Sequence, residues 1–343
     1  GPRGRGAPAS VAAAGARRVH LLSTGNHASY PAALFSLWRA VLNEFDFEFE
    51  DHSFDTRYCS LAGTCSVDER FAWLGEHLRG TVVETCGGLF LKGFEAMPSM
   101  AERLAGLMRM GGADAPARRA DVLLCTHPPY SCRLFWPLVL EDDKPLLGFF
   151  GGTLEAHVPA GGAREWLRDF RDMAGHPRVQ FAAISPFLAE KMRFQTGAEV
   201  PAVRGFGFHV MEQRTTYFPW RRDEVLLWKN SFECEDNQGD FDRLLGEVSA
   251  EAGPPHLRFR HLRDLRADGD ASYATIGSFR AVVFVPYEVL LMTFYELYHV
   301  AIPLFLPHSY LASFFYYRGP VTYPHCSLVL EGLEADASGG EAG

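Results

Sequence analysis

The sequence lacks an excess of positive charge, a closely spaced cysteine pair and a charge-free apolar run, and each lack removes a class of function. Its 33 Lys and Arg are outnumbered by 42 Asp and Glu, for a formal net charge of -9. Nucleic-acid binders instead gather Lys and Arg on one face, so no nucleic-acid partner is expected. The seven cysteines are scattered and odd in number, with no CxxC pair. That excludes the usual zinc and thiol-exchange signatures and predicts reduced, buried thiols and no bound metal, with a Cys59–Cys65 disulfide as the alternative. The most apolar stretch, Ala281 to Pro307, is long enough to cross a bilayer but contains Glu288, Glu296, His299, Pro286 and Pro303. It reads as strand, helix, strand, and the chain is expected to hold no transmembrane segment.

Sequence fingerprints of three enzyme classes are also missing. No GxGxxG follows a strand, no GKS or GKT loop is present, and no GxSxG elbow occurs. Dehydrogenase, P-loop and α/β-hydrolase readings therefore lose their main support.

What remains is a chain of 343 residues, 47% hydrophobic and 22% charged, sufficient for two ordinary cores. Arg18 to Gly25 reads as a buried strand ending in a small-residue turn, and Leu34, Leu37, Trp38, Val41 and Leu42 recur at helical spacing within Pro31 to Phe45. A strand over Phe47 to His52, a helix over Met97 to Met110 and a strand over Asp121 to Cys125 follow. Then come a strand over Lys144 to Phe150, a helix containing Trp166 to Met173, a strand over Val179 to Ile184 and a helix over Pro186 to Gln195. Strands alternating with helices predict a parallel sheet. The alternation breaks near Gly205-Phe-Gly-Phe-His209 and resumes with strands at Glu224 to Lys229, Leu257 to His261, Ala281 to Val285 and Ile302 to Leu306, and with a helix over Glu288 to Val300. The expected fold is α/β, two Rossmann-like lobes of parallel sheet flanked by helices with a cleft between them. The expected divisions are a disordered basic tail at 1–17, a first lobe at 18–209, a second at 210–330 and a disordered tail at 331–343.

One segment carries the chemistry. In Pro286-Tyr-Glu288-Val-Leu-Leu-Met-Thr-Phe-Tyr-Glu296-Leu-Tyr-His-Val-Ala-Ile-Pro303, seven residues separate two glutamates and the proline stands seven beyond the second. Along a continuous helix, eight steps of about 1.5 Å put the carboxylates roughly 12 Å apart, near the span of a nucleotide-diphosphate sugar. This layout resembles the donor motif of retaining GT-B glycosyltransferases of family 4, also called glycosyl transferases group 1. The likeness extends back through Ser185-Pro-Phe-Leu-Ala-Glu-Lys, Gly197, Val203 and Gly205-Phe-Gly207. Where that family usually has Gly-Phe-Gly after the first glutamate, this chain has Val289-Leu-Leu, and Ala301-Ile302 replaces the usual glycine before the proline.

The resemblance implies transfer of a sugar from a UDP- or GDP-linked donor, with retention, to a glycan, lipid, protein or small-molecule acceptor. The nucleotide sugar is a co-substrate and no further cofactor is implied. Glu288, beside Tyr287, would take the donor-sugar hydroxyls, and Glu296 the ribose hydroxyls. Lys229 would face the diphosphate, and the helix N-terminus would favour the same charge. His127, in Cys125-Thr-His-Pro-Pro129, would face the donor sugar from the first lobe. Gly25 would approach the donor, while Asn26, His27, Gly151, Gly152 and Thr153 would meet the acceptor. Against these stand plainer readings: Glu288 as a helix-start acid, Glu296 as a surface residue of an amphipathic helix, Lys229 as a solvated strand-end lysine and His127 as a loop histidine stiffened by prolines. The alternative functions are a lobe pair that has lost catalysis and serves in binding or assembly, or a nucleotide-sugar epimerase. Arg-rich residues precede Arg18 and no acid precedes Glu44. The reading here is a missing or processed start and a cytoplasmic location, with the secretory pathway or a plastid as alternatives.

Overall fold

The structure, a computed structural model, describes residues 17–24, 29–42, 44–51, 96–110, 116–155, 158, 160–228, 235–251, 253, 256–284 and 291–308. Strands β1 (Arg17–Thr24), β2 (Phe45–Asp51), β3 (Val122–Cys125), β4 (Leu146–Phe150) and β5 (Val179–Ala183) form a sheet in the order β2-β1-β3-β4-β5. Strands β6 (Arg221–Trp228), β7 (Arg258–His261), β8 (Phe279–Phe284) and β9 (Leu304–Phe305) form a second, in the order β7-β6-β8-β9. Every pairing in both is parallel. The α/β fold of two parallel sheets flanked by helices is therefore present.

Sequence periodicity decides which face of the first sheet each helix covers. Val19 pairs with Phe47 and Leu21 with Phe49, so these four share one face. Helix α1 (Ser29–Val41) covers it, placing Phe35 5.0 Å from the Phe49 ring and Trp38 5.7 Å from Phe47. Helices α2 (Met97–Arg109) and α3 (Pro116–Arg119) come next in the chain. After β3 comes a 3-10 helix over Pro129–Phe135 that runs into α4 (Trp136–Glu141), elements whose short, proline-interrupted sequence has no period to reveal them. The opposite face carries Phe150 and Phe181 under Phe170 of α5 (Ala160–Ala174), with ring centroids 5.8 and 4.6 Å away. Trp166 of the same helix is wholly buried and donates its indole N–H to the Leu154 carbonyl at 2.8 Å.

Helix α6 (Pro186–Thr196) has full terminal signals. Ser185 accepts from the Leu188 N–H, Pro186 stands in the first turn, and Gly197 closes the end at φ 77°. The chain then bridges Ala202 onto Ala183 and crosses through Gly205–Gly207 into α7 (Phe208–Glu212). In the second lobe α8 (Glu235–Glu251), α9 (Leu262–Ala267), α10 (Tyr273–Ile276) and α11 (Met292–Val300) separate the strands.

One expectation needs correction. The helix predicted from Glu288 begins only at Met292, after Leu291 in extended conformation at φ -113° and ψ 109°. Eight continuous helical steps therefore do not connect Glu288 to Glu296. Leu291 is buried in the second-lobe core while Met292, the first residue of the helix, is buried in the first.

Candidate functional site

In an open parallel sheet the ligand crevice forms where the strand order reverses, outside the carboxyl ends. In the first sheet that point lies between β1 and β3, and in the second between β6 and β8. The residues that follow β1 and β3 in sequence include Gly25, Asn26, His27 and His127, whereas Lys229 follows β6 and Tyr287 and Glu288 come after β8. Gly25, Asn26, His27, Lys229, Tyr287 and Glu288 lie outside the described residues, as do Cys59 and Cys65.

The first-lobe wall is built on shape. His127 is half-buried, and its ring lies 5.7 Å from that of Tyr30, in the first turn of α1. Tyr30 in turn covers Gly151, just past β4, where an added Cβ would fall 1.8 Å from the phenol ring. Only glycine fits beneath that ring, so His127, Tyr30 and Gly151 pack as one contiguous unit past the carboxyl ends of β3 and β4. Gly152 is buried and Thr153 half-buried beside it.

The loop carrying His127 is also covalently closed. Cys125 and Cys132 form a disulfide with Cα atoms 5.2 Å apart, both fully buried. This corrects the expectation of reduced thiols. Seven residues of separation gave no warning, because the 3-10 turn after Pro129 is what folds the two cysteines together. Arg133 in that turn pairs with Glu165 at 2.6 Å and with Asp169, anchoring the loop to α5.

The second-lobe contribution is built on charge. Glu296 lies on the buried side of α11 with Met292, Leu297 and Val300, and its residue exposure is 3%. His209 of α7 places Nε2 3.4 Å from Glu296 Oε1, and the Tyr273 hydroxyl of α10 lies 3.5 Å from the same nitrogen. Burial, then the negative charge of Glu296 and a hydrogen bond to it, hold the Tyr273 phenol well above its ordinary range. The carboxylate thus faces two protein partners within the fold, an arrangement also suited to a structural role. Nothing in the sequence spacing identifies His209 or Tyr273, since neither stands in a periodic or motif position. Gly205-Phe-Gly207 beside His209 is the sole pointer.

These two glycines bring the lobes together. An added Cβ on Gly205 would meet Phe149 at 3.2 Å, and one on Gly207, at φ 71°, would meet the Glu296 backbone nitrogen at 3.2 Å. Phe206 and Phe208 flank the same contact, 6.4 Å from Tyr295 and 5.7 Å from His299. On its other side, α7 pairs Glu212 with Arg39 of α1. Among the described residues, no group of three or more His, Cys, Asp or Glu could hold a metal ion, and no helix is long and apolar enough to cross a membrane.

No family model matches the sequence, and no curated protein matches it. Among solved structures the chain is similar to the glycosyltransferase SnogD from Streptomyces nogalater, at 13% identity and a TM-score of 0.41, over 88% of this chain and 85% of that one. It is also similar to CalG4, the calicheamicin glycosyltransferase, at 13% identity and a TM-score of 0.39, over 92% and 84%. A likeness at this level assigns no residue, donor or acceptor.

Proposed function

We propose that this chain is a GT-B glycosyltransferase that moves a sugar from a UDP- or GDP-linked donor to an acceptor with retention of configuration. The observation that supports the proposal is the coincidence at both switch points: Gly25, Asn26, His27 and His127 follow β1 and β3, and Lys229, Tyr287 and Glu288 follow β6 and β8, the strands on either side of each strand-order reversal. Glu296 serves the ribose end of the donor and Glu288, with Tyr287, the sugar end. Lys229 neutralises the diphosphate as it leaves without a metal, stabilising charge that develops in the transition state. Gly25 lets the donor approach the first lobe, and His127 donates to a sugar hydroxyl. Asn26, His27, Gly151, Gly152 and Thr153 meet the acceptor.

A second reading, a lobe pair retained for binding or assembly without turnover, is favoured by one observation. The Glu296 carboxylate is buried among His209 and Tyr273, which a purely structural acid would also require. A transfer and donor-hydrolysis assay over UDP- and GDP-sugars, run with the parent and with Glu288→Ala, Glu296→Ala and Lys229→Ala, separates the readings. Turnover in the parent that drops at least about a hundredfold in Lys229→Ala supports transfer, on the scale of one lost transition-state contact. Binding with no turnover supports the second reading, and an epimerised nucleotide sugar formed from the donor alone indicates an epimerase.

A further inference from the structure

Burying an ionised carboxylate is costly unless donors converge on it, so the arrangement around Glu296 has to supply them. The Tyr273 hydroxyl supplies one. The other side is faced by His209, itself 3% exposed, through Nε2 at 3.4 Å. Its remaining nitrogen, Nδ1, is buried with no hydrogen-bond partner among the described residues. A proton on Nδ1 would be a stranded donor, whereas a bare lone pair there is the lesser cost, which puts the proton on Nε2 towards Glu296.

We infer that His209 is a positioning residue for the donor site: its imidazole, with Nε2 turned towards Glu296 and the Tyr273 hydroxyl, fixes the orientation of that carboxyl group for the nucleotide ribose. This role rests on the donor reading above. The backbone makes the link stiff, because Gly207, two residues before His209, packs directly on the Glu296 backbone. The Glu212–Arg39 pair then ties the same short helix to the first lobe. His209 therefore sets Glu296 relative to both lobes without touching the ligand.

Two measurements test the inference. The first needs no nucleotide: nitrogen-15 spectra of the histidines, with His209 identified among the 13 by its loss in His209→Gln. A single Nε2–H signal that shifts in Glu296→Gln is expected, and a signal indifferent to Glu296→Gln overturns the pairing. The second is calorimetric titration of UDP and of GDP. His209→Ala should weaken binding about tenfold, the scale of one lost charge-assisted hydrogen bond, while His209→Gln, whose amide still donates, restores most of it. Equal affinities in all three proteins overturn the positioning role. Failure of the parent to bind either nucleotide overturns the donor reading and the role with it, and leaves the pairing to be decided by the spectra.

Discussion

The first lobe presents its side of the candidate site through shape, with a phenol ring over a bare glycine and a half-buried histidine, whereas the second presents a buried carboxylate held by polar partners. The contrast follows from what each lobe packs. The first sheet is covered by Phe35, Trp38, Trp166 and Phe170, so apolar contact fixes its edge. At the junction α11 carries an acid into the interior, and only designated donors make that tolerable. Rigidity on one side therefore comes from volume and on the other from hydrogen bonds.

The strongest way to break this comparison is to remove volume from the first lobe. Trp166→Ala should lower unfolding free energy by about 3–5 kcal/mol in a denaturant titration, since it empties a fully buried site and strands the Leu154 carbonyl. A loss below about 1 kcal/mol would mean that the aromatic layer does not carry the lobe. Adding volume is the next test. Gly151→Ala must displace Tyr30 and should cost about 1–3 kcal/mol, read by thermal melting, with the Tyr30 ring shifted from His127 in a crystal structure.

The second lobe should respond to polarity at constant shape. Tyr273→Phe removes a donor to Glu296 and should cost about 1–2 kcal/mol near neutral pH. Because the folded-state pKa of Tyr273 is raised, the stability this phenol contributes is present below the unfolded value of about 10 and is lost as pH rises above it. The parent should therefore lose stability more steeply than Tyr273→Phe above about pH 10. Tyr130 in the first lobe is raised by burial alone, so Glu296→Gln should lower the Tyr273 titration, followed by absorbance, and leave Tyr130 unmoved. The smallest effect has the opposite sign. Ala301 closes α11 at φ 59°, a conformation that suits glycine, so Ala301→Gly should raise stability by up to about 1 kcal/mol.

Much of this organisation was legible in the sequence where periodicity was long or terminal signals were complete. Helix α6 shows Ser185, Pro186 and Gly197 in the expected places, and β3 and β4 are short apolar runs between turns. The start of α11 was not legible, because Leu291 and Met292 are equally apolar in helix or extended chain, and their burial in two different cores has no sequence signal. The disulfide and His209 were hidden for a related reason: both depend on contacts made by short turns that have no sequence period.

The most direct measurement is a crystal structure of the chain soaked with UDP and, separately, GDP. A nucleotide is expected outside the carboxyl ends of β6 and β8, its ribose hydroxyls on Glu296 and its diphosphate turned towards Lys229 and His127. A nucleotide bound elsewhere, or a saturating soak that leaves Glu296 engaged only by His209 and Tyr273, would contradict the donor reading.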